Sequence, residues 1–223
     1  MKIIPSSFVI EDPDYGEKGT DLLRRIERSA RTCYKSEHQN ALIGYMAGEW
    51  DKDKTLKFVK MLIERGHEST LEHEKVTVRI VCDRGVSHEI VRHRLASYSQ
   101  ESSRYCNYSQ DKFGNEVTFI DLRHFLANPE ARKLWETAMQ QAEANYLELI
   151  NQHGVPPQFA RSVLPNSLKT EIVVTANVRE WRHIFRLRTS KAAHPQMREV
   201  MVPMLKEFRK RFPVLFDDIE VGA

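Results

Sequence analysis

One short stretch, from Arg92 to Tyr105, concentrates side chains that bind anions and polar rings. It holds three arginines, one histidine, four serines, two tyrosines, one glutamine and a single glutamate. Guanidinium groups and hydroxyls bind phosphate, and an amide can form hydrogen bonds with the edge of a heterocycle. The stretch follows an ordered, apolar-alternating segment. We therefore favour a binding loop carried by a rigid element over an ordinary polar surface loop.

A second concentration of charge lies between Arg179 and Arg198, where six lysines and arginines accompany one acid, Glu180. Helical spacing over 178–188 predicts an apolar stripe and a cationic stripe. The apolar stripe consists of Trp181, Ile184 and Phe185, and the cationic one of Arg179, Arg182, His183 and Arg186. Arg188 continues the apolar stripe, so we expect it to face a ligand, although helix C-termini also favour cations. The cluster suggests an anionic partner, with a solvated basic face as the alternative.

Two further segments contain side chains that could bind an anion or a metal ion. Arg161 has apolar neighbours, which implies an ion-pair partner or a ligand anion because an unpaired buried charge is costly. His67 and His73 lie close to acids, but they are six residues apart and not at the i and i+4 spacing of a helical zinc site. We therefore expect no metal here, and interpret the segment as a polar turn at the mouth of a pocket.

Composition limits the class of protein. Of the 223 residues, 41% are hydrophobic and 29% are charged, which is typical of a soluble globular chain. We expect a cytoplasmic protein with no membrane partner, because no apolar run approaches ~20 residues and no signal peptide is visible. Three cysteines without a CxxC pair predict no disulfide framework. A net charge of +3 is too small to indicate a nucleic-acid partner by itself.

The surrounding pattern predicts the elements that hold these residues. Strands are expected at 2–10, 75–82, 117–120 and 169–176, and helices at 20–34, 86–92 and 178–188, with others beginning near Asp53, Asn128 and Pro195. In the strand at 75–82, Cys82 shares the buried face with Val76. The elements do not alternate regularly, and no GxGxxG follows a strand. We predict an α+β fold, with a mostly antiparallel central sheet and helices around it, in one domain spanning 1–223.

The motifs resemble those of flavin-dependent thymidylate synthases. Arg92-His93-Arg94, seven further residues, Ser102 and the closing Arg104-Tyr105 resemble the family signature. The other similar segments are Gly66-His67-Glu68-Ser69, Arg161 ahead of Leu164-Pro165, Asn177-Val178-Arg179, Leu187-Arg188 and His194-Pro195-Gln196. The resemblance extends roughly from Gly66 to Gln196. It implies reductive methylation of dUMP to dTMP with FAD, with methylenetetrahydrofolate as carbon donor and NADPH as reductant, in a homotetramer.

The resemblance also implies roles for individual residues. Arg188 is expected to be catalytic, stabilising negative charge on the pyrimidine. The expected substrate-binding residues are Glu89, Ile90, Val91, Arg92, Gln100, Glu101, Ser102, Ser103, Arg104, Arg161 and Arg188. The expected cofactor-binding residues are His67, Ser69, Glu72, Arg92, His93, Arg94, Gln100, Asn177, Val178, Arg179 and His183. Gln100 and Glu89 depart from the family, which often has Glu and Gln there. We expect a structural role for His88.

Two alternatives from other classes remain open. Arginines and tyrosines of the signature stretch could hold phosphates and stack bases, as in a nucleic-acid-binding module. His93 could act as the nucleophile of a histidine phosphatase, although Arg94 stands where that class has glycine. A flavin-dependent enzyme without nucleic acid as a partner remains the favoured interpretation.

Overall fold

The computed structural model describes residues 1–11, 15, 19–33 and 51–222. Its strands are β1 (Lys2–Ile4), β2 (Ser7–Ile10), β3 (Lys75–Asp83), β4 (Ala96–Gln100), β5 (Thr118–Ile120) and β6 (Lys169–Asn177). Its α-helices are α1 (Thr20–Cys33), α2 (Lys52–Glu64), α3 (Arg84–Ile90), α4 (Pro129–Asn151), α5 (Pro157–Ala160), α6 (Val178–Arg188) and α7 (Pro195–Arg211). Within these ranges, no helix combines the length and apolar character needed to cross a bilayer.

Two sheets organise the strands. Strands β2, β3, β6 and β4 form, in that order, a four-stranded antiparallel sheet. Strands β1 and β5 form a separate parallel pair in which Lys2 lies opposite Thr118 and Ile4 opposite Ile120. Helices and strands are mixed without regular alternation, so the predicted α+β class with a mostly antiparallel sheet is confirmed.

Strand β3 shows why the sequence folds this way locally. Val76, Val78, Ile80 and Cys82 are all completely buried, while the residues between them are partly exposed. Successive side chains of a strand point to opposite faces, so this alternation buries one face and hydrates the other. Cys82 is a small core residue, as predicted, and burial raises the pKa of its thiol to about 12.

The chain divides into two compact units. The first comprises Met1–Val9, Arg79–Arg92 and Tyr98–Val174. Its core contains Tyr108, Val117, Phe119, Met139, Tyr146, Ala160 and Leu168. Helix α4 begins as predicted: Asn128 Oδ1 accepts a hydrogen bond from Ala131 N at 2.7 Å, and Pro129 occupies the first helical position. The prediction of one domain over 1–223 stays a prediction.

The second unit comprises the described residues of Ile10–Val78, His93–Ser97 and Thr175–Ala223. An aromatic cluster fills it, with Trp181 stacked on Phe185 at 5.6 Å and tilted against Phe208 at 5.2 Å between ring centroids. The indole Nε1 of Trp181 donates to Val76 O at 2.9 Å, so this buried ring satisfies its polar atom. These contacts fix the apolar side of α6.

Three sequence predictions need correction. The expected strand over 2–10 is interrupted at Pro5, which lacks the N–H that a ladder requires. Helix α2, expected to begin near Asp53, begins at Lys52 and is capped by Asp51, whose carboxylate accepts from Lys54 N at 3.0 Å. The signature stretch is not all loop, because Ala96–Gln100 forms β4 at the edge of the four-stranded sheet.

Candidate active site

A pocket of about 600 Å³ lies in the first unit. Its lining residues are Arg84, His88, Ser103, Gln158, Phe159, Arg161, Ser162, Leu164, Pro165, Asn166 and Leu168. The lining includes two arginines and a histidine but no aspartate or glutamate. A wall of guanidinium groups, hydroxyls and amides without carboxylates suits an anionic ligand such as a phosphate. We call this cavity the arginine pocket.

Both arginines of the arginine pocket are held by neutral acceptors. Arg161 Nη1 donates to Ser103 Oγ at 3.0 Å. Arg84 Nη1 donates to Thr170 Oγ1 at 3.1 Å and to the carbonyl oxygen of Glu101 at 3.2 Å. In the described part of the chain neither guanidinium forms a salt bridge with a carboxylate, so their positive charge is available to an anion. The sequence left open an ordinary ion pair for Arg161, and the structure shows a hydroxyl partner.

Gln100 and Glu101 at the end of β4 are already engaged in hydrogen bonds. Gln100 Nε2 donates to Ser87 Oγ at 2.9 Å and to Thr170 Oγ1 at 3.1 Å. The carboxylate of Glu101 receives Lys169 Nζ at 2.8 Å and the hydroxyl of Tyr108 at 2.9 Å. These bonds hold the strand end beside Ser103, so both side chains have an architectural role besides the substrate contact predicted for them.

The remaining candidates in the first unit differ in exposure. The side chain of Ile90 is buried, and its carbonyl oxygen accepts from the Tyr98 hydroxyl at 2.9 Å. Arg92 and Arg104 are exposed and form no salt bridge among the described residues. Glu89, Val91 and Ser102 are partly or fully accessible, whereas Ser103 is buried against Arg161.

In the second unit His93 and Arg188 are joined directly. Arg188 Nε donates to His93 Nε2 at 2.9 Å, and His93 is 5% exposed. Burial, together with the nearby charges of Arg188 and His183, lowers the pKa of His93 to about 4. The imidazole is therefore neutral at physiological pH. A buried ring whose Nε2 accepts a hydrogen bond is poorly suited to act as a phosphatase nucleophile.

Two other side chains of α6 face His93. Glu180 places Oε1 3.5 Å from His93 Nδ1, and burial raises the pKa of this carboxyl. The exposed ring of His183 meets His93 edge-on, with 5.6 Å between centroids. Potential ligand atoms of these three residues lie within 4.8 Å of one another, a spacing that could hold a metal ion. The permanent cation of Arg188 on His93 opposes such a metal ion.

The prediction that Arg182 belongs to the cationic stripe of α6 is wrong, because this side chain is fully buried. Its guanidinium donates twice to the carboxylate of Asp218, at 2.7 and 2.6 Å, and once to Glu68 at 3.1 Å. Arg186 also pairs with Glu68, at 3.0 Å, and Arg179 pairs with Glu72. Acids from distant parts of the sequence thus neutralise most of this stripe, which removes its support for an anionic partner at this helix.

The other candidates of the second unit lie at turns and helix ends. His67 precedes a 3₁₀ turn (Glu68–His73) that carries the exposed Ser69. Asn177 caps α6, with Oδ1 accepting from Glu180 N at 2.8 Å. Val178 is buried, and its N–H donates to Glu74 O at 2.8 Å. Arg94 is exposed and has no carboxylate partner in the described ranges.

Sequence reasoning missed several residues of the arginine pocket. Arg84, His88 and Asn166 line it, and His88 is exposed there, so the expected structural role of His88 is not what the structure favours. Asp83 starts α3 by accepting from Val86 N at 2.7 Å, and Arg84 N donates to Asn166 O at 2.9 Å. The sequence did contain a signal for Arg84. The segment Asp83-Arg84-Gly85 joins a buried strand directly to a helix, and binding residues often lie at such junctions.

Comparison of the amino-acid sequence with known proteins identifies a family. A family model described as "Thymidylate synthase complementing protein" matches residues 18–214. A flavin-dependent thymidylate synthase of Geobacter sulfurreducens is 36% identical over 199 residues, covering 89% of this chain and 82% of the relative. The enzyme of the same name from Pyrococcus furiosus is 38% identical over 180 residues (77% and 72%), and that from Mycobacterium tuberculosis 34% over 207 residues (88% and 79%). The matches include the signature stretch and α6, and the chain belongs to the flavin-dependent thymidylate synthase family of methyltransferase-type enzymes.

Proposed function

We propose that this protein converts dUMP to dTMP by reductive methylation, using FAD, methylenetetrahydrofolate and NADPH. Family membership supports dTMP synthesis, and the arginine pocket is the observation that carries the proposal to this chain. A nucleoside monophosphate presents a compact dianion beside a polar ring. The pocket offers two guanidinium groups without carboxylate partners, together with hydroxyls and amides that can hydrogen-bond the rest of the nucleotide.

Arg161 and Ser103 form the core of the proposed phosphate site. Their mutual hydrogen bond of 3.0 Å orders the guanidinium before the ligand arrives, which reduces the entropy lost on binding. Arg84 adds a second cation. The exposed Arg92 and Arg104 are proposed to contact substrate as well, and Gln100, Glu101, Ser102 and the segment 89–91 complete the proposed set.

Arg188 is the proposed catalytic residue. A guanidinium stays protonated throughout the accessible pH range, so it can stabilise negative charge developing on the pyrimidine without itself titrating. His93 accepts from Nε and thereby fixes the plane of the whole group. Preorganised positive charge of this kind requires no reorganisation when the substrate ring becomes nucleophilic.

The donor set of the second unit fits a flavin dinucleotide. His183, Ser69 and Arg94 are exposed, and they offer the ring N–H, hydroxyl and guanidinium groups that suit an isoalloxazine edge or a pyrophosphate. His67, Glu72, His93, Asn177, Val178 and Arg179 complete the proposed cofactor set. When bound, FAD supplies the redox chemistry, for which NADPH provides electrons and methylenetetrahydrofolate the carbon. We further propose a cytoplasmic homotetramer.

Product formation tests this function directly. Purified protein is incubated with dUMP, FAD, methylenetetrahydrofolate and NADPH, and dTMP is measured by chromatography. We expect dTMP only when all four are present, and none when any one is omitted. Failure to form dTMP in the complete mixture by protein that retains flavin would contradict the proposal.

A further inference from the structure

Glu180 is a buried acid that the predicted site does not include. Only 5% of its surface is exposed, although it lies in the first turn of α6, where an acid could benefit the helix while remaining in water. Among the described residues, its carboxylate faces the neutral ring of His93, with Glu180 Oε1 3.5 Å from Nδ1. Burying a carboxylate is costly, so its position requires a specific interaction that repays the cost.

The hydrogen positions on the His93 ring follow from its contact with Arg188. Arg188 Nε always carries a hydrogen, and it points this hydrogen at His93 Nε2 across 2.9 Å. Nε2 must therefore be the bare nitrogen of the imidazole. In a neutral ring the proton then resides on Nδ1, the nitrogen that faces Glu180. The Nε–H of Arg188 thus meets an acceptor, and the Nδ1–H of His93 faces the carboxylate of Glu180, with 3.5 Å between Nδ1 and Oε1.

We propose that Glu180 is a positioning residue for the methylation reaction, selecting the His93 tautomer that holds Arg188. The proposal rests on the catalytic role proposed for Arg188. Without an acceptor at Nδ1, the ring loses one of the two contacts that favour this tautomer, and only the bond from Arg188 still favours it. The other tautomer places an N–H at Nε2 against the N–H of Arg188, and two donors cannot share a hydrogen bond, so the guanidinium would lose its bond to His93.

A helix-stabilising role alone does not account for the geometry. Asn177 already caps α6 by accepting from Glu180 N at 2.8 Å. An acid that served only the helix dipole would gain as much from an exposed rotamer. The exposed Glu130 in the first turn of α4 is such an acid and supplies a matched control.

Kinetic constants of three variants separate positioning from folding. In Glu180→Gln the amide oxygen can still accept from Nδ1–H, whereas Glu180→Leu removes the acceptor at similar volume. We expect Glu180→Leu to lower kcat on the order of 10–100-fold, as loss of an orienting partner commonly does, with flavin content and the KM for dUMP little changed. Glu180→Gln should recover most of kcat, and Glu130→Leu should retain all of it.

The tautomer can be observed independently of catalysis. In protein labelled with ¹⁵N-histidine, with the His93 signals assigned by their absence in His93→Gln, we expect Nδ1 protonated and Nε2 bare in the wild type and in Glu180→Gln. A protonated Nε2 in the wild type would overturn the proposal. This measurement does not depend on whether Glu180→Leu folds. Wild-type kcat in Glu180→Leu, or equal losses in the Leu and Gln variants, also overturns it. Absence of dTMP formation by the wild type would instead contradict the proposed function.

Discussion

Nε of Arg188 donates a hydrogen bond to Nε2 of His93 at 2.9 Å, although 95 residues separate the two in sequence. The bond connects the signature stretch to the end of α6. Because a guanidinium is planar, anchoring Nε sets the direction of all its other N–H groups. The reactivity proposed for Arg188 therefore depends on the position of the His93 ring.

Replacing Arg188 by alanine should abolish dTMP formation while FAD remains bound, because the proposed loss is charge stabilisation at the pyrimidine. The check is product formation together with the flavin content of the purified variant. Arg186→Ala is the control, since Arg186 lies on the same helix but pairs with Glu68. Loss of flavin from Arg188→Ala would assign this arginine to the cofactor.

His93 should remain neutral down to about pH 4, because burial and the charge of Arg188 lower its pKa. A histidine whose pKa is lower in the folded than in the unfolded state contributes stability above the ordinary pKa of about 6.5. That contribution is progressively lost as the pH falls toward 4. Tm should therefore fall less steeply between pH 6.5 and 4 in His93→Gln than in the wild type. Parallel curves would contradict the neutral, buried state.

We expect the ion pairs of Arg182 to be the strongest contacts that hold α6 against the C-terminal segment of the second unit. Arg182→Met leaves Asp218 and Glu68 without their buried partner, and we expect unfolding in urea to become easier by roughly 3 kcal/mol. The exposed Arg186→Ala should cost less than about 1 kcal/mol. Equal effects of the two substitutions would show that the burial of Arg182 does not matter.

Acid should weaken the same ion pairs. Burial raises the pKa of Glu68 and of Asp218, but hydrogen bonds from arginines outweigh burial and the net pKa of each is lowered. Such groups stabilise the fold above their unfolded pKa values near 4, and this stability is lost as the pH falls below them. The difference in free energy of unfolding between the wild type and Arg182→Met should therefore become smaller in acid. A difference that does not change with pH would refute this.

Arg161 should contribute a charge-assisted contact to the phosphate of dUMP. Removing its side chain in Arg161→Ala should weaken dUMP binding by roughly 1.5–3 kcal/mol, measured by calorimetry on the flavin-loaded protein. Affinity for deoxyuridine, which lacks the phosphate, should change little. Lys133→Ala, an exposed cation on α4, is the control. Equal losses for nucleotide and nucleoside would place Arg161 away from the phosphate.

The sequence predicted the elements whose local signals are strong. Alternation defined β3, and the helix predicted over 178–188 has the bounds observed for α6. The edge strand β4 was missed because Ala96–Gln100 contains little apolar surface, and its pairing depends on partners far along the chain.

Side-chain environments were harder to predict than helices. Helical spacing grouped Arg182 with exposed cations, because the two acids that bury it come from residues 114 and 36 positions away. The same limit applies to the arginine pocket, where Arg84 and Asn166 converge from distant segments. Periodicity describes one element at a time and does not show which elements meet.

The visible absorption spectrum of the purified protein tests the central claim most directly. FAD is added first, and dUMP second, with Arg161→Ala measured in parallel. We expect a protein-bound flavin spectrum that shifts when dUMP is added to the wild type and shifts only at higher dUMP in the variant. A protein that binds no flavin, or a flavin spectrum that does not change when dUMP is added, would contradict the proposed function.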